Sequence, residues 1–449
     1  MLRRFTILFS IIWLYSSTSL AQQYKEWSLE DCIQYAVEHN IDLQRQSITV
    51  EKRKVAIQQG KWAFVPSLSI NSNYTMSTGR VLDPTTYQFD DISFTGNSAS
   101  SISGDMAIYS GRRSVRTLKK AKLSLRAAHI QEEMIKQDLR INVVAAYMDV
   151  LCAKEQTKIA EESASLIQEQ LNKSQVLFDA GSITESDILQ LKSKLFEAQN
   201  DVVSARNSTE MAYLALCNLL EIDDYKTFRI SVPVETAPEP PVLNVDEAVE
   251  NNPEYRSSVI DRELAESEYK IASSSLTPTI SLSVGYGSSF SDARKRNVLQ
   301  PDGSITVENY PFFKQYYDNA SAYATVGLKI PIFGNMTARS NVKTARLAIK
   351  EAEYNIQVKK KDVRTKILKA KIDCESAYDV YKRSILEVEY AQEAQRQIDE
   401  KYNLGAADYL SWSTALVESA KARYALAEAK YTYILKAEIM GFYAQTCAF

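Results

Sequence analysis

Few residues in this chain have the types and spacing that catalysis or metal binding requires. The 449 residues include only two histidines, His39 and His129, which are too few for a His-rich metal site. His129 and Glu133 are four residues apart and would share one helix face, but no second pair accompanies them, so we interpret them as a solvated surface. The GxSxG, phosphate-loop and GxGxxG patterns are absent. The sequence therefore predicts no catalytic, cofactor or metal site, and an enzyme is the least favoured class.

The cysteines do not form a recognisable redox or disulfide pattern. There are five of them, with no CxxC and no short spacing. Secreted domains that depend on disulfides usually carry an even number of closely spaced cysteines. We therefore predict that these residues are small buried hydrophobic side chains. They are Cys32, Cys152, Cys217, Cys374 and Cys447.

Two glycines between long helical stretches carry the most informative local pattern. Gly181 and Gly405 each fit the position just after a helix, where the backbone turns left-handed. Thr184 with Asp187, and Asp408 after the second glycine, fit the start of the next helix. The residues around both glycines would be exposed at the tip of a helical hairpin, which suggests a docking surface. The candidate docking residues are Ala180, Gly181, Ile183, Leu404, Gly405 and Ala406.

Long helices must position these tips. Gly and Pro interrupt helices most strongly, and neither occurs in residues 112–180, 182–232, 335–404 or 406–440. The first stretch would extend about 100 Å at 1.5 Å per residue, so it needs a long partner. Apolar and alanine residues recur along these stretches with heptad-like spacing, which permits close packing of helices. We predict two antiparallel helical hairpins, at 112–223 and 335–440.

The hairpins belong to a unit that occurs twice. Ala36–Asn40 resembles Ala248–Asn252, and Pro66 and Gly181 correspond to Pro278 and Gly405 in the same order. This duplication predicts a mainly α fold with a small β part, built from two helix–strand–strand–helix–helix units. The predicted segments are a first repeat at 22–232, a Pro-rich linker at 233–243, a second repeat at 244–443 and a tail at 444–449.

Four stretches have the alternating pattern of amphipathic strands, at about 66–80, 98–110, 278–290 and 320–333. Ala324, Val326 and Leu328 alternate with polar or small residues in the last of them. Roughly 9–11 tilted residues cross a bilayer, but a membrane barrel needs about eight strands. If these strands enter a membrane, several chains must share one barrel. Two hairpins of a soluble β-sandwich are the alternative.

The N-terminus has the features of a secretory signal peptide at 1–21. Arg3 and Arg4 precede an apolar run, Phe5–Tyr15, and Ser19-Leu20-Ala21 fits a cleavage site. No later apolar run reaches the roughly 18 residues of a spanning helix. The formal net charge is −3, and no basic stripe is present, which argues against nucleic acid as a partner.

In their duplicated order, these motifs resemble the TolC-type outer membrane efflux family. The resemblance extends from about residue 27 to residue 443. It implies a homotrimer with a 12-stranded β-barrel in the outer membrane of a Gram-negative bacterium and a long α-helical barrel in the periplasm. It also implies that a periplasmic adaptor docks on the tips and that an inner-membrane pump supplies the cargo. The residues that carry the resemblance are Ser28–Asn40 with Asp246–Pro253, Val65-Pro66 with Thr277-Pro278, Ile108–Arg112 with Pro331–Gly334, and the tips at Gly181 and Gly405.

The resemblance further implies a closable periplasmic gate at the tips. Family members have a Tyr three residues before the second tip glycine and acidic residues six and nine after it. This chain keeps the tyrosine as Tyr402 but has Ser411 and Thr414 at the acidic positions. Asp408 and Asp187 are possible substitutes, although a role as a helix cap is favoured for Asp408.

The implied function is export of small molecules, such as drugs, toxic compounds or metals, through a tripartite efflux pump. Two alternatives stay open at this point. One is the outer-membrane channel of a type I protein secretion system. The other is a periplasmic coiled-coil scaffold that never enters the membrane.

Overall fold

The computed structural model describes residues 26–79, 81–82, 89–90, 94–181, 183–232 and 239–445. The predicted signal peptide (1–21), residues 233–238 of the predicted linker and Cys447 lie outside the described residues.

Most of the described chain is helical, with a smaller β part, so the predicted fold class is confirmed. The helices are α1 (Leu29–His39), α2 (Ile41–Trp62), α3 (Arg113–Asp179), α4 (Glu185–Leu219), α5 (Val245–Asn251), α6 (Pro253–Ser274), α7 (Phe312–Asp318), α8 (Thr337–Asn403) and α9 (Tyr409–Gln445). The strands are β1 (Glu26–Trp27), β2 (Ser67–Ser77), β3 (Val81–Leu82), β4 (Phe89–Asp90), β5 (Thr95–Ser110), β6 (Arg229–Ile230), β7 (Thr279–Ser291), β8 (Lys295–Leu299), β9 (Ile305–Asn309) and β10 (Ser321–Lys329).

Two boundaries differ from the sequence expectation for physical reasons. β10 ends at Lys329 rather than near residue 333, because Pro331 has no N–H to donate to a strand ladder. α9 continues through Gly441 to Gln445, since a single glycine inside a helix costs only about 1 kcal/mol. A glycine near a helix end is therefore a weak stop signal.

Contacts divide the chain into two compact units. The first contains residues 1–48, 130–256 and 358–449, and the second contains residues 49–129 and 257–357. The main core of the first unit lies where α3 packs against α1 and α4, around Val143, Leu151 and Leu216. Cys32 and Cys217 are buried in this core and Cys374 is also buried, as predicted, whereas Cys152 is only half-buried; all four are free thiols. Burial raises the pKa of Cys217 to about 11, so the thiol stays protonated.

Tyr147 connects this core to the short parallel pair β1 and β6. Its side chain is fully buried, and its hydroxyl lies 2.7 Å from the carbonyl oxygen of Ser231 and 3.2 Å from that of Trp27. The ring of Trp27 packs against Tyr35 and Phe228 at centroid distances of 5.1 and 5.4 Å. One buried tyrosine thus holds the first described residues of the chain against the long helices.

The second unit contains a four-stranded antiparallel sheet in the order β10–β7–β5–β2. Its register aligns the apolar positions of all four strands: Ile70, Ile102, Tyr286 and Ala322 form one continuous row. We call the side of the sheet that carries this row the apolar face, and the opposite side, which carries Ser69, Ser103, Asp105 and Ser283, the polar face. A bulge in β5 places Tyr109 rather than Ile108 opposite Ile280. No helix in the described part of the chain is both long and apolar enough to span a membrane.

We expect Tyr147→Phe to lower the free energy of unfolding by about 1–3 kcal/mol, because the partly buried carbonyl group of Ser231 loses the hydrogen bond from the Tyr147 hydroxyl. The urea midpoint of the detergent-solubilised protein, followed by circular dichroism, measures this change. Tyr390→Phe is the matched control, since Tyr390 is exposed on α8. Equal midpoints for the two variants would contradict the assigned role of Tyr147.

Candidate functional site at the hairpin tips

The first hairpin turns at Gly181, immediately after α3. Gly181 has φ +74°, a left-handed conformation that strains any residue with a Cβ atom. Its N–H donates to the carbonyl group of Phe178 at 2.8 Å, and the N–H of Ala180 donates to Val176 at 3.1 Å. These bonds satisfy carbonyl groups that the end of a helix otherwise leaves unpaired.

The second hairpin turns at Gly405 with nearly the same geometry, φ +71°. The N–H of Gly405 donates to Tyr402 at 3.0 Å and that of Ala406 donates to Lys401 at 2.8 Å, which is a Schellman motif. A Cβ atom on either tip glycine would meet nothing within 4 Å. Backbone conformation, rather than crowding, therefore requires glycine at both tips.

Carboxylates begin both returning helices. In α4, Asp187 Oδ2 accepts from the backbone N–H of Thr184 at 3.0 Å and from its hydroxyl at 2.8 Å, and the N–H of Asp187 donates back to the Thr184 hydroxyl. In α9, Asp408 Oδ1 accepts from the N–H of Ser411 at 2.8 Å. Hydrogen bonds from the side chain and backbone of Ser411 lower the pKa of Asp408. Both candidate gate carboxylates therefore act as helix caps in this structure.

The exposure of the candidate docking residues is uneven. Ala180, Gly181, Gly405 and Ala406 are exposed, and Leu404 is 84% exposed. Ile183 is half-buried, so it is less exposed than the sequence predicted. It directly precedes Thr184, the residue before α4, at the point where the chain reverses direction.

Sequence reasoning missed other exposed apolar residues near the tips. Val176 and Leu410 are largely exposed, and Leu177 is about half exposed. Their positions in the sequence could have indicated them, because all three lie within two helical turns of a tip glycine. They enlarge the apolar surface at the tips beyond the predicted residues.

Tyr402 lies inside a cluster of aromatic and polar side chains. Its ring stacks on Trp412 with a centroid distance of 5.6 Å and an interplanar angle of 26°, and Trp412 is only 5% exposed. The Tyr402 hydroxyl lies near the Ser174 and Gln170 side chains of α3, and its ring packs in a hydrophobic cluster with Ile167 of α3. Burial, together with the nearby Asp187 carboxylate, raises the pKa of Tyr402. The packing of Tyr402 against Ile167 and Leu191 ties the second tip to the first hairpin.

Ser411 and Thr414 are exposed on α9. Ser411 contacts Asp408, whereas the Thr414 hydroxyl donates to the carbonyl group of Leu410 within its own helix at 2.8 Å. These two positions present hydroxyl groups rather than charges. Within the described residues, no cluster of three or more His, Cys, Asp or Glu side chains could hold a metal ion.

Known proteins share both the sequence pattern and the fold. The family model described as outer membrane efflux protein matches residues 32–220 and 244–438. Outer membrane protein TolC of Vibrio cholerae is 23% identical over 393 residues, which covers 85% of this chain and 82% of that protein. A crystal structure of CusC superimposes with a TM-score of 0.79 at 16% identity and covers 95% of both chains. The CmeC outer membrane channel of Campylobacter jejuni gives a TM-score of 0.78 at 17% identity, covering 94% of this chain and 86% of that one. At these identities the structural likeness shows a shared fold.

We expect Gly405→Val to destabilise the second tip by about 1–2 kcal/mol, the cost of a left-handed backbone in a residue with a Cβ atom. Gly405→Asn is the control, because asparagine tolerates this conformation better. Amide hydrogen exchange across 400–412 measures the change, and it should be faster in the valine variant. Indistinguishable exchange in the two variants would show that the tip does not depend on its positive φ.

The cap at Asp408 predicts a pH dependence of the first turn of α9. Because the folded-state pKa is lowered, the stabilisation is present above the ordinary pKa of aspartate and is lost as the pH falls through the folded-state pKa. Amide exchange of residues 409–412, corrected for its intrinsic pH dependence, should therefore accelerate several-fold in acid. Asp408→Asn should remove this acid sensitivity while preserving the turn. Acid sensitivity that persists in the asparagine variant would point to another titrating group.

Proposed function

Because the chain belongs to the outer membrane efflux protein family, we propose that it is the trimeric outer-membrane channel of a tripartite pump that exports small molecules. Its family and fold are those of channels rather than enzymes. The chain is an outer-membrane protein that extends into the periplasm, as the resemblance to the TolC family implied.

The open edges of the sheet are the observation that carries this proposal. β2 and β10 are at its two edges, and every neighbouring pair is antiparallel. With four alternating strands, β10 of one copy and β2 of the next would also be antiparallel. Backbone groups left unpaired in lipid cost several kcal/mol each, so closure between copies is strongly favoured. Three copies supply the twelve strands that the family resemblance implies.

The apolar face supports a position within a bilayer. Its rows extend from Ile280, opposite Leu328, to Phe290, opposite Ser98. About ten residue steps at roughly 3.3 Å each give about 33 Å along the strand. A tilt of about 40° reduces this length to about 25 Å, the height of the apolar band of outer-membrane barrels.

Exposed apolar side chains on the helices support association of copies. In the first unit, Leu189, Phe196 and Val203 recur every seven residues along α4, and all are exposed. In the second unit, the exposed residues Leu347 and Tyr354 on α8 have the same spacing. Heptad spacing produces a continuous stripe on a coiled helix, and a second copy of the chain is the partner that we propose for it.

The proposed passage is passive. The polar face would line a water-filled lumen with serine and threonine hydroxyls and with Asp105, whose Oδ1 accepts from Ser283 at 2.6 Å. A periplasmic adaptor would dock on the exposed tip residues, chiefly Ala180, Leu404 and Ala406, and an inner-membrane pump would supply the cargo.

The proposed gate consists of Tyr402, Asp408, Ser411, Thr414 and Asp187. Tyr402 contributes most in this proposal, because its packing against α3 and α4 must break before the second tip can move away from the first hairpin. Asp408 and Asp187 would keep the ends of the returning helices intact while the tips move.

Two adjacent positions on β10 test the membrane arrangement. Ala324→Arg places a charge near the middle of the apolar face, where it should cost about 2–4 kcal/mol in a barrel. Thr325→Arg places the same charge on the polar face, where water solvates it. We expect the first variant to lower the yield of heat-modifiable trimers in carbonate-washed outer membranes and the second to preserve it. Equal loss in both variants, or release of the wild-type protein by carbonate, would favour the soluble scaffold.

Deletion of the gene tests the cargo class. We expect the deletion strain to accumulate a fluorescent dye substrate and to become sensitive to small toxic compounds. The wild-type gene should restore export, and Gly405→Val should restore it poorly. If deletion instead abolishes one secreted protein and leaves dye accumulation unchanged, the chain is the channel of a type I protein secretion system.

A further inference from the structure

Side chains from the short helix α7 and from Asn319, which follows it, pair with backbone groups at the end of β7. β10 begins at Ser321, which pairs with Gly287, so β7 extends beyond it. In that extension, Gln315 donates to the carbonyl oxygen of Ser291 at 3.1 Å and accepts from its N–H at 2.5 Å. Asn319 donates to the carbonyl oxygen of Ser289 at 2.7 Å. Gln315 of α7 and the following residue Asn319 thus satisfy the backbone groups that β10 leaves unpaired.

The same helix covers serine side chains on the apolar face. The Tyr316 hydroxyl lies 2.8 Å from Ser98 Oγ and 3.1 Å from Ser100 Oγ. The Ser288 hydroxyl donates to the carbonyl oxygen of Tyr316 at 2.5 Å. Hydroxyl groups that face a nonpolar medium need such partners. α7 therefore supplies contacts that these serines would otherwise require from water.

The outer side of α7 is aromatic. Phe313 is 85% and Tyr317 is 83% exposed, and their spacing of four places them on one side of the helix. Phe312 joins α7 to the apolar face, since its ring centroid lies 4.8 Å from that of Phe290. The helix thus covers the serines of the apolar face and exposes aromatic side chains in their place. Aromatic residues of this kind are enriched where a membrane meets water.

We propose that α7 is an interfacial anchor whose Phe313 and Tyr317 side chains insert among the lipids of the membrane. This inference rests on the proposed function, because only a lipid-facing apolar face places α7 against a bilayer. Lipid is favoured over a second copy of the chain for a geometric reason. Another copy would pair with the edges of the sheet through β2 and β10. In contrast, Tyr316 and Phe312 hold α7 against Ser98, Ser100 and Phe290 of the apolar face, which is the side that meets lipid in the proposed barrel.

Photo-crosslinking in vesicles of phosphatidylcholine tests the anchor. The photoreactive residue p-benzoylphenylalanine replaces Phe313 or Tyr317 in the full-length trimer, and mass spectrometry detects lipid adducts after illumination. Val326, on the apolar face, is the positive control, and its neighbour Thr325, on the polar face, is the negative control. We expect adducts at 313 and 317 at a level comparable to 326 and several-fold above 325, in preparations that retain the heat-modifiable trimer.

The other possible results show whether the proposed anchor fails alone or the proposed channel fails with it. Adducts at 326 without adducts at 313 or 317 would overturn the anchor and leave the proposed function standing. Crosslinks from 313 to a second protein chain would assign this surface to a neighbouring copy and also overturn it. Absence of adducts at 326 would overturn the lipid-facing sheet itself, and the anchor with it.

Discussion

The rest of this structure depends on one constraint. The backbone N–H and C=O groups at the edges of the sheet need hydrogen-bond partners. One chain folds four antiparallel strands and leaves β2 and β10 at the edges, with an apolar face beside them. Lipid provides no partners for unpaired N–H and C=O groups, so we propose that other copies of the chain complete the sheet. Where β10 is too short to cover β7, Gln315 of α7 and the following residue Asn319 provide side-chain partners instead. The trimer and the lipid anchor that we propose follow from this one requirement.

Backbone groups at the helix ends also need hydrogen-bond partners. Each hairpin turns through a glycine with positive φ, and the carbonyl groups at the end of the first helix are paired by the following N–H groups. The carboxylates that follow, Asp187 and Asp408, are used by the backbone as caps. The tips of this chain are therefore shaped by helix termination. Hydroxyl groups at Ser411 and Thr414 and the aromatic pair of Tyr402 and Trp412 give the proposed gate a largely uncharged character.

One chain alone leaves apolar side chains exposed at regular intervals along its helices. The core around Tyr147 and Leu216 is fully buried, whereas the stripe from Leu189 to Val203 faces outward. A helix with apolar residues on more than one side needs more than one partner. Association of copies would bury this stripe, just as closure of the sheet would pair its edges. The helical and the strand parts of the chain therefore have the same need for further copies.

The sequence alone determined the long helices, the tip glycines and the alternation of the strands, because avoidance of Gly and Pro and a period of two are local properties. It also indicated the family, since the duplicated order of motifs can be read along the chain. The tertiary structure decided the strand order and the half-buried position of Ile183. It also decided the bulge that places Tyr109, rather than Ile108, opposite Ile280. It alone revealed the contact of Tyr402 with α3 and the position of α7 on the serines of the apolar face. These features depend on contacts between residues far apart in sequence, such as Tyr316 with Ser98, and no local pattern encodes such a contact.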